Sequence, residues 1–193
     1  MEDEIKAALW SLKAFKVPGP DGLHARFFHR FWLIVGSLVV NVVKKVFLER
    51  KVPEYFNKTH IANYRSISLC NTIYKIITKI IVVRLRPHLD KLICPLQAAF
   101  VPGRKGVDNA IIVQEIINSL SKKKGKVGYM ALKIDLEKAY DKLEWSFIRE
   151  VLIRANLPAD LIDIIMSCVS TVSTSILFNG EAMELIYPSR GIR

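Results

Sequence analysis

The chain has 193 residues, and 51% of them are apolar. This length and composition are typical of a folded domain with a packed core, and they exclude a disordered chain. Lysine and arginine number 29 against 18 aspartate and glutamate residues, which gives a formal net charge of +11. Such an excess indicates a polyanionic partner, and both nucleic acids and anionic membrane surfaces fit that description.

No membrane span or secretion signal is apparent. The most apolar run, residues 31–43, is interrupted by Gly36, Ser37 and Asn41, and it is shorter than the roughly 20 residues that cross a bilayer. The N-terminal residues 1–4 are acidic, unlike a signal peptide. We therefore expect an intracellular protein, in the nucleus or the cytoplasm, that is not secreted and has no membrane partner.

Cysteine and histidine residues do not predict a metal site. They are Cys70, Cys94, Cys168, His24, His29, His60 and His88. Their spacing matches no zinc-binding pattern. We predict that the cysteines are small core residues of a reduced protein.

In six stretches of the chain, apolar residues recur at the spacing of an amphipathic helix. The predicted helices cover residues 4–15, 23–32, 33–49, 71–89, 108–123 and 159–170. Two prolines and two glycines in residues 18–22 force a turn between the first two helices. Asp108 is predicted to cap the fifth helix, and residues 65–69 are predicted to be extended.

The stretch from residue 129 to residue 145 is the most informative part of the chain. Residues 129–134 are predicted to form a short apolar strand that ends at Asp135, and a single helix then carries Tyr140, Asp141 and Trp145. A carboxylate at the end of a buried strand is a rigid, hard ligand for a metal ion. The alternative is that Asp135 only caps the helix that follows.

Near the C terminus, residues 175–178 and 183–186 flank the dipeptide Asn179-Gly180. This dipeptide is typical of the tight turn of a β-hairpin. The sequence thus predicts a mainly helical chain with a few strands.

The segment Asp135-Leu-Glu-Lys-Ala-Tyr-Asp141, followed by Trp145, resembles the first catalytic motif of the reverse transcriptases of non-LTR (LINE-type) retrotransposons. Further segments match the same family in the same order. They are Lys16-Val-Pro-Gly-Pro-Asp-Gly-Leu23, Tyr64-Arg-Ser-Ile-Ser-Leu-Cys-Asn71 with Ile73-Tyr-Lys-Ile-Ile77, Arg84-Leu85, Gln97-Ala-Ala-Phe-Val-Pro-Gly-Arg104 with Asp108-Asn109, and Pro188-Ser-Arg-Gly-Ile-Arg193. The resemblance covers nearly the whole chain and is closest to the plant-type branch.

The resemblance implies an α+β fold, namely a partial right-hand polymerase with helical fingers and the N-terminal part of the palm. Residues 1–60 would form a helical region that precedes or joins the fingers, and residues 61–193 a partial fingers and palm. The implied partners are an RNA template, a DNA primer and deoxynucleoside triphosphates (dNTPs), with Mg²⁺ as the cofactor. The oligomeric state is left open.

The resemblance also implies roles for single residues. Asp135 resembles the first metal-binding, catalytic aspartate of the palm. Tyr140 resembles the aromatic residue beneath the incoming sugar that rejects a 2′-hydroxyl; the alternative is a half-buried packing residue. Arg65 and Arg104 resemble arginines of the fingers that approach the triphosphate or the template, although either could be an ordinary surface arginine. Asp141 is expected to form a structural ion pair.

A basic loop follows the fifth predicted helix. It contains Lys122, Lys123, Lys124 and Lys126. These lysines could bind backbone phosphates in a non-specific, salt-sensitive way, or they could form a solvated turn.

The chain also departs from the family pattern. It contains no adjacent pair of aspartates, and it ends at Arg193, before the expected Gln-Gly-Asp-Pro and Ala-Asp-Asp motifs. Ser66 replaces a usual proline, and only two residues separate Ile61 from Tyr64, where relatives have a further strand of the fingers.

These departures predict a truncated and catalytically inactive fragment of an RNA-directed DNA polymerase. Its first palm strand would lack neighbours, and such an edge invites self-association. The alternatives are a non-catalytic nucleic-acid-binding remnant that uses only its basic face, and the product of a translated pseudogene with no role.

Overall fold

The structure, a computed structural model, describes residues 1–61, 70–124, 128–136, 138–178 and 181–192. The chain divides into two compact units. Unit 1 consists of Met1–Val82 and Lys138–Arg193, and unit 2 consists of Val83–Glu137. The extended segment predicted at residues 65–69 lies outside the described residues, and the domain boundary predicted after residue 60 remains a prediction.

Three helices open unit 1, as the apolar spacing predicts. Helix α1 spans Glu2–Trp10, α2 spans Ala25–Arg30 and α3 spans Trp32–Glu49. The first helix ends five residues earlier than predicted. Ser11 follows it, and the Ser11 hydroxyl donates a hydrogen bond to the carbonyl oxygen of Ala8 at 2.7 Å, a local bond that competes with helix continuation.

A single turn of 3₁₀ helix, Glu54–Phe56, leads into a small mixed sheet. Strand β1 (Lys58–Ile61) pairs in parallel with β2 (Ser173–Phe178), and β2 pairs in antiparallel fashion with β3 (Glu181–Ala182). The predicted hairpin is therefore confirmed, with its Asn179-Gly180 turn outside the described residues.

The second strand of the hairpin lies earlier than predicted. It consists of Glu181–Ala182 rather than residues 183–186, and beyond it Ile186 forms only an isolated bridge with Thr174. Strand β1 was not predicted at all, because its partner β2 lies more than a hundred residues away along the chain.

Helix α4 (Thr72–Leu85) contributes the most completely buried aliphatic stripe of unit 1. Its buried residues include Ile73, Ile76, Ile77, Ile80 and Ile81. Burying such a side chain contributes about 1.5–3 kcal/mol. The predicted helix at residues 71–89 ends at Leu85, because Pro87 lacks a backbone donor and lies in a separate 3₁₀ turn, Arg86–His88.

The Pro-Gly turn of residues 18–22 packs against the beginning of α4. The Thr72 hydroxyl donates to the carbonyl oxygen of Leu23 at 2.8 Å, and the Asn71 amide donates to the carbonyl oxygen of Tyr55 at 3.1 Å. A Cβ atom at Gly19 would lie only 2.6 Å from the backbone nitrogen of Asn71. The close approach of the two backbones therefore requires glycine at this position.

The C-terminal part of unit 1 adds three helices. They are α7 (Ala139–Lys142), α8 (Trp145–Arg154) and α9 (Ala159–Ser170). Helix α9 has the predicted bounds, and it buries Ile162, Ile164, Met166 and Cys168. The single helix predicted after Asp135 is instead divided at Leu143 and Glu144, whose backbones are extended.

In the part of unit 2 that the structure describes, the end of α4 and the 3₁₀ turn are followed by the helices α5 (Leu89–Leu92) and α6 (Gly106–Lys122). Within the described part of this unit, Val101 is the one buried apolar side chain. The prediction that Asp108 caps the helix is wrong, because α6 begins two residues earlier and Lys105 precedes it. The prediction that all three cysteines are core residues is also wrong: Cys168 is buried, but Cys94 is exposed.

The strand predicted at residues 129–134 is not formed. Residues 128–136 have no assigned secondary structure, and Met130, Leu132 and Ile134 are 86%, 75% and 75% exposed. A strand is stabilised by hydrogen bonds to a neighbour, and none of the three described strands pairs with this segment. The apolar alternation therefore has no surface against which to pack.

Helices dominate the described chain and one small sheet accompanies them, in agreement with the predicted α+β class. Among the residues that the structure describes, no helix is both long and apolar enough to cross a membrane.

Candidate functional site

Asp135 lies in the irregular segment of unit 2 and is exposed. It does not cap a helix, because α7 begins at Ala139 and Lys138 occupies the preceding position in a left-handed conformation. The alternative role predicted for Asp135, that of a simple helix cap, is therefore wrong.

The metal-binding capacity around Asp135 is low. Within the described ranges, no group of three or more histidine, cysteine, aspartate and glutamate side chains could hold a metal ion. Two-metal catalysis requires carboxylates that share two ions about 3.5–4 Å apart. The described residues supply one exposed carboxylate at this position and do not by themselves fit such a site.

Tyr140 belongs to unit 1 and lies on the one-turn helix α7. Its side chain is 53% exposed, so the ring is accessible to a ligand and is not a core residue. The turn is held by hydrogen bonds from the backbone N–H groups of Asp141 and Lys142 to the carbonyl oxygen of Lys138, at 3.0 and 3.2 Å.

The C-terminal segment is hydrogen-bonded to the helix that carries Tyr140 and to the residues that follow this helix. The N–H of Ile192 donates to the carbonyl oxygen of Tyr140 at 3.0 Å, and the N–H of Gly191 donates to that of Leu143 at 2.7 Å. These carbonyls therefore bond the C-terminal segment, which accounts for the break between α7 and α8. A third hydrogen bond joins the same segments, because the indole N–H of Trp145 donates to the carbonyl oxygen of Gly191 at 2.8 Å.

The contact between these two segments requires glycine at position 191. Its φ angle is +89°, and a Cβ atom there would lie 3.1 Å from the carbonyl oxygen of Asp141. The backbone angle lies in the region that favours glycine. Two segments that are separated in sequence but singled out by the resemblance, residues 135–145 and 188–193, are thus in direct contact through Tyr140, Trp145 and Gly191.

The guanidinium group of Arg104 is occupied by the loop that precedes α6. It donates to the carbonyl oxygens of Cys94, Gln97 and Ile93 at 2.6, 2.8 and 3.2 Å. It also pairs with Asp90 at 3.2 Å, and its side chain is only 17% exposed. Arg104 therefore organises this loop, and a triphosphate would have to compete with these acceptors.

The basic loop of unit 2 is described in part. Lys122, Lys123 and Lys124 are exposed, whereas Lys126 lies outside the described residues, as does Arg65. The ammonium group of Lys123 lies 4.1 Å from the centre of the Tyr129 ring. A cation over an aromatic face is weakly stabilised, so Lys123 is partly engaged.

The thiol of Cys168 is buried in unit 1. Burial raises the pKa of this thiol to about 12. The thiol is therefore protonated at neutral pH, the form in which it is a poor nucleophile.

The predicted site residues thus fall into both units. Arg104, Asp135 and the lysines Lys122, Lys123 and Lys124 belong to unit 2, and Tyr140 belongs to unit 1. The hydrogen bonds that join Gly191 to Trp145 and to the end of α7 were not predicted from the sequence. The one sequence feature that pointed to them was the glycine within residues 188–193, and a glycine alone does not identify the segment that it contacts.

We predict that Arg104→Lys loosens the loop before α6, because a single ammonium group cannot reproduce the planar fork of the guanidinium. Hydrogen bonds to charged groups contribute about 1.5–3 kcal/mol each, so amide hydrogen exchange of residues 89–105 should accelerate at least about tenfold. Hydrogen exchange with mass spectrometry measures this change.

Arg149→Lys is the matched control. Arg149 pairs with Asp163 at the same distance of 3.2 Å, but both side chains are nearly half exposed. Such pairs contribute about 0–1 kcal/mol, so exchange should change little. Equal behaviour of the two variants would contradict the organising role of Arg104.

Comparison with known proteins agrees with the predicted resemblance. The profile of the family described as reverse transcriptase (RNA-dependent DNA polymerase) matches residues 56–193. The "Transposon TX1 uncharacterized 149 kDa protein" of Xenopus laevis is 25% identical over 203 residues, which cover 99% of this chain and 15% of that protein.

A second relative is the "Retrovirus-related Pol polyprotein from type-2 retrotransposable element R2DM" of Drosophila melanogaster. It is 25% identical over 201 residues, which cover 100% of this chain and 18% of that protein. The chain thus spans less than a fifth of the length of these relatives. The plant-type branch remains a prediction, but the match over most of the chain is decisive: the chain belongs to the reverse transcriptase family and to its non-LTR retrotransposon class.

Proposed function

We propose that this chain is the fingers and the first part of the palm of an RNA-directed DNA polymerase that copies an RNA template from a DNA primer with dNTPs. The family match over residues 56–193 carries this proposal. The contact between α7 and the C-terminal segment supports it, because it joins two segments of the family pattern around Tyr140. The division into residues 1–60 and 61–193, and an intracellular location in the nucleus or the cytoplasm, are parts of the same proposal.

The residue roles follow from chemistry and exposure. Asp135 would bind the divalent ion, and Mg²⁺ is the ion that suits an exposed carboxylate with water as further ligands. The accessible ring of Tyr140 would contact the sugar of the incoming nucleotide. Arg65 would approach phosphate groups, and Arg104 would do so only through the part of its guanidinium group that its loop leaves open.

The nucleic-acid backbone would be held by the exposed lysines. Lys122, Lys123 and Lys124, together with Lys126, form a concentration of positive charge in unit 2. Their contribution would be electrostatic and independent of base sequence, since ammonium groups bind phosphates as point charges.

Catalysis by this chain alone is not expected. The sequence contains no adjacent aspartate pair, and Asp135 is a single ligand where the two-metal reaction requires several. The polymerase role therefore requires further metal ligands besides Asp135.

We predict that the purified chain does not extend a DNA primer on an RNA template with Mg²⁺ and dNTPs. The measurement is gel analysis of a labelled primer, with a complete reverse transcriptase as the positive control. Extension above the protein-free blank that disappears in Asp135→Ala would overturn the expectation of inactivity and establish Asp135 as catalytic.

A second candidate function is non-catalytic binding of nucleic acid. The net charge of +11 and the exposure of the lysines at 122–124 favour it. This function requires neither Asp135 nor Tyr140, so variants at those two positions would bind nucleic acid normally.

We predict weak, non-specific binding of both RNA and DNA, with dissociation constants of roughly 10⁻⁴–10⁻⁶ M at physiological salt. Replacing Lys122, Lys123 and Lys124 by glutamine should weaken binding and lower the salt slope for single strands by up to about 2. Fluorescence anisotropy across a salt series measures both effects.

The control variant replaces Lys44, Lys45 and Lys51 by glutamine. It removes the same charge from exposed positions in another part of the chain. If both variants lose the same affinity, net charge alone governs binding and the basic loop is not a site. Binding that does not change with salt would contradict the electrostatic account altogether.

A further inference from the structure

Helix α3 has one apolar side that is buried in unit 1 and a second apolar side that is exposed to solvent. The buried side is formed by small and β-branched residues, namely Gly36, Val39, Val40, Val43 and Val46. On the other side, Ile34, Leu38 and Leu48 are 72%, 64% and 82% exposed. Single exposed leucines are common on protein surfaces, but several large aliphatic side chains on one side of one helix are typical of an interaction surface.

The exposed side of α3 has the spacing of a coiled-coil seam. Positions 34, 38, 41, 45 and 48 are separated alternately by four and by three residues, and all five side chains are exposed. This alternation is that of the a and d positions through which one helix packs against another. The residues at these positions are Ile34, Leu38, Asn41, Lys45 and Leu48. The helix has 18 residues and is therefore about 27 Å long, so its exposed side is suited to contact with a second helix.

The seam is close to symmetric about Asn41. Ile34 lies seven positions before Asn41 and Leu48 lies seven positions after it. When two copies of α3 pack antiparallel with Asn41 on the two-fold axis, Ile34 of each copy is opposite Leu48 of the other. An asparagine amide both donates and accepts hydrogen bonds, so the two Asn41 side chains can pair with each other. A two-fold interface requires a surface that is complementary to itself, and this seam meets that requirement.

The lysine in the seam favours the antiparallel direction. Parallel packing would place Lys45 beside Lys45 of the second copy, and opposed like charges are unfavourable at an interface. Antiparallel packing places Lys45 opposite Ser37, whose small side chain leaves room for the aliphatic stem of the lysine while its ammonium group stays in water. The same ammonium group lies 3.6 Å from the carboxylate of Glu49 on its own helix, which partly compensates the charge near the seam.

We propose that the exposed side of α3 is a docking surface for a second copy of this chain, and that the two helices form an antiparallel pair centred on Asn41. The proposal is independent of the polymerase role, because it uses none of the residues assigned to that role. A contact made by one helix of each copy lies at the small end of specific interfaces, below roughly 1,200 Å². The dimer is therefore weak and reversible, with a dissociation constant in the micromolar range.

Analytical ultracentrifugation of the full chain, over concentrations from micromolar to millimolar, tests this dimer. Leu38→Glu should weaken dimerisation at least about tenfold, because each dimer would then bury two carboxylates in place of two leucines. Leu96→Glu is the matched control, since Leu96 is 68% exposed and belongs to unit 2. It makes the same chemical change outside α3, so the dissociation constant should stay that of the unaltered chain.

Cysteine pairing tests the direction of the helices. Ile34→Cys and Leu48→Cys are each prepared together with Cys94→Ser, because Cys94 is an exposed cysteine. Antiparallel packing predicts a disulfide-linked dimer when the two variants are mixed under mild oxidation, and little linked dimer with either variant alone. Linked dimers of each variant alone, without the mixed species, would show parallel packing and contradict the proposed arrangement.

The remaining outcomes also decide. A chain that stays monomeric at all concentrations, or a dimer that Leu38→Glu and Leu96→Glu weaken equally, would overturn the proposal. Loss of the dimer in Met130→Glu but not in Leu38→Glu would overturn it in favour of association through the exposed segment of unit 2.

The salt dependence separates direct contact from bridging by a polyanion. Two copies that each have a net charge of +11 repel each other, and salt screens this repulsion, so added salt should strengthen the dimer. Dimerisation that weakens as salt is added, or that disappears after nuclease treatment, would show that nucleic acid bridges the copies and would overturn direct contact through α3.

Discussion

The first turn of α4 is the contact on which the arrangement of unit 1 depends. Asn71 and Thr72 bind the backbone of residues 55 and 23, so they hold the Pro-Gly turn and the turn before β1 against the same helix. One turn further on, the hydroxyl of Tyr74 donates to the carbonyl oxygen of Cys168 at 3.1 Å. The start of α4 is thus hydrogen-bonded to the segment between α1 and α2, to the turn before β1 and to the end of α9. The absence of space at Gly19 shows how closely the turn approaches.

The buried polar groups beneath the sheet are arranged around the same helix end. The side-chain amide of Asn57, fully buried, donates to the carbonyl oxygen of Cys168 at 2.8 Å and to the Thr171 hydroxyl at 3.1 Å. Burial also raises the pKa of the Tyr74 phenol, so it remains a neutral donor. Hydrogen bonds of this kind stabilise only modestly, but loss of one partner leaves a buried group unsatisfied at a cost of about 1–3 kcal/mol. The residue that precedes β1 is therefore fixed to the end of α9 by polar contacts.

Among their described residues, unit 1 buries many apolar side chains and unit 2 buries few, and the candidate functional residues occur in both units. Tyr140 lies in the well-packed unit, on a helix that Gly191 and Trp145 hold by backbone and indole hydrogen bonds. Asp135 lies in the unit whose described residues bury little apolar surface. A metal ligand needs a rigid support to define its geometry, and the exposed segment around Asp135 offers none of the neighbours that a strand would have. The proposed metal role thus depends on contacts beyond those of this segment.

Local signals predicted the parts of the fold that local interactions determine. The apolar spacing of α9 and the Asn-Gly turn of the hairpin lie within short stretches, and both were predicted correctly. Long-range contacts account for the errors. Strand β1 exists only because β2 pairs with it, the division of α7 from α8 reflects bonds from Gly191 and Ile192, and the segment at 129–134 has a strand pattern without a strand partner. Asp135 was singled out by its place after an apolar stretch as well as by the family pattern, whereas the role of Tyr140 came from the family pattern alone.

The functional account depends most directly on Asp135 as the ligand of a divalent ion. Mn²⁺ prefers the same oxygen ligands as Mg²⁺ and broadens the NMR signals of nearby nuclei, so titration of the isotope-labelled chain with Mn²⁺ reports the location of the ion without requiring catalysis. With a dNTP present, whose phosphate groups supply further oxygen ligands, we expect broadening centred on the residues around Asp135 that is lost in Asp135→Asn and retained in Asp108→Asn, a change at another exposed aspartate of unit 2. Broadening that is centred elsewhere, or that persists unchanged in Asp135→Asn, would contradict the assignment of Asp135 as the metal-binding residue.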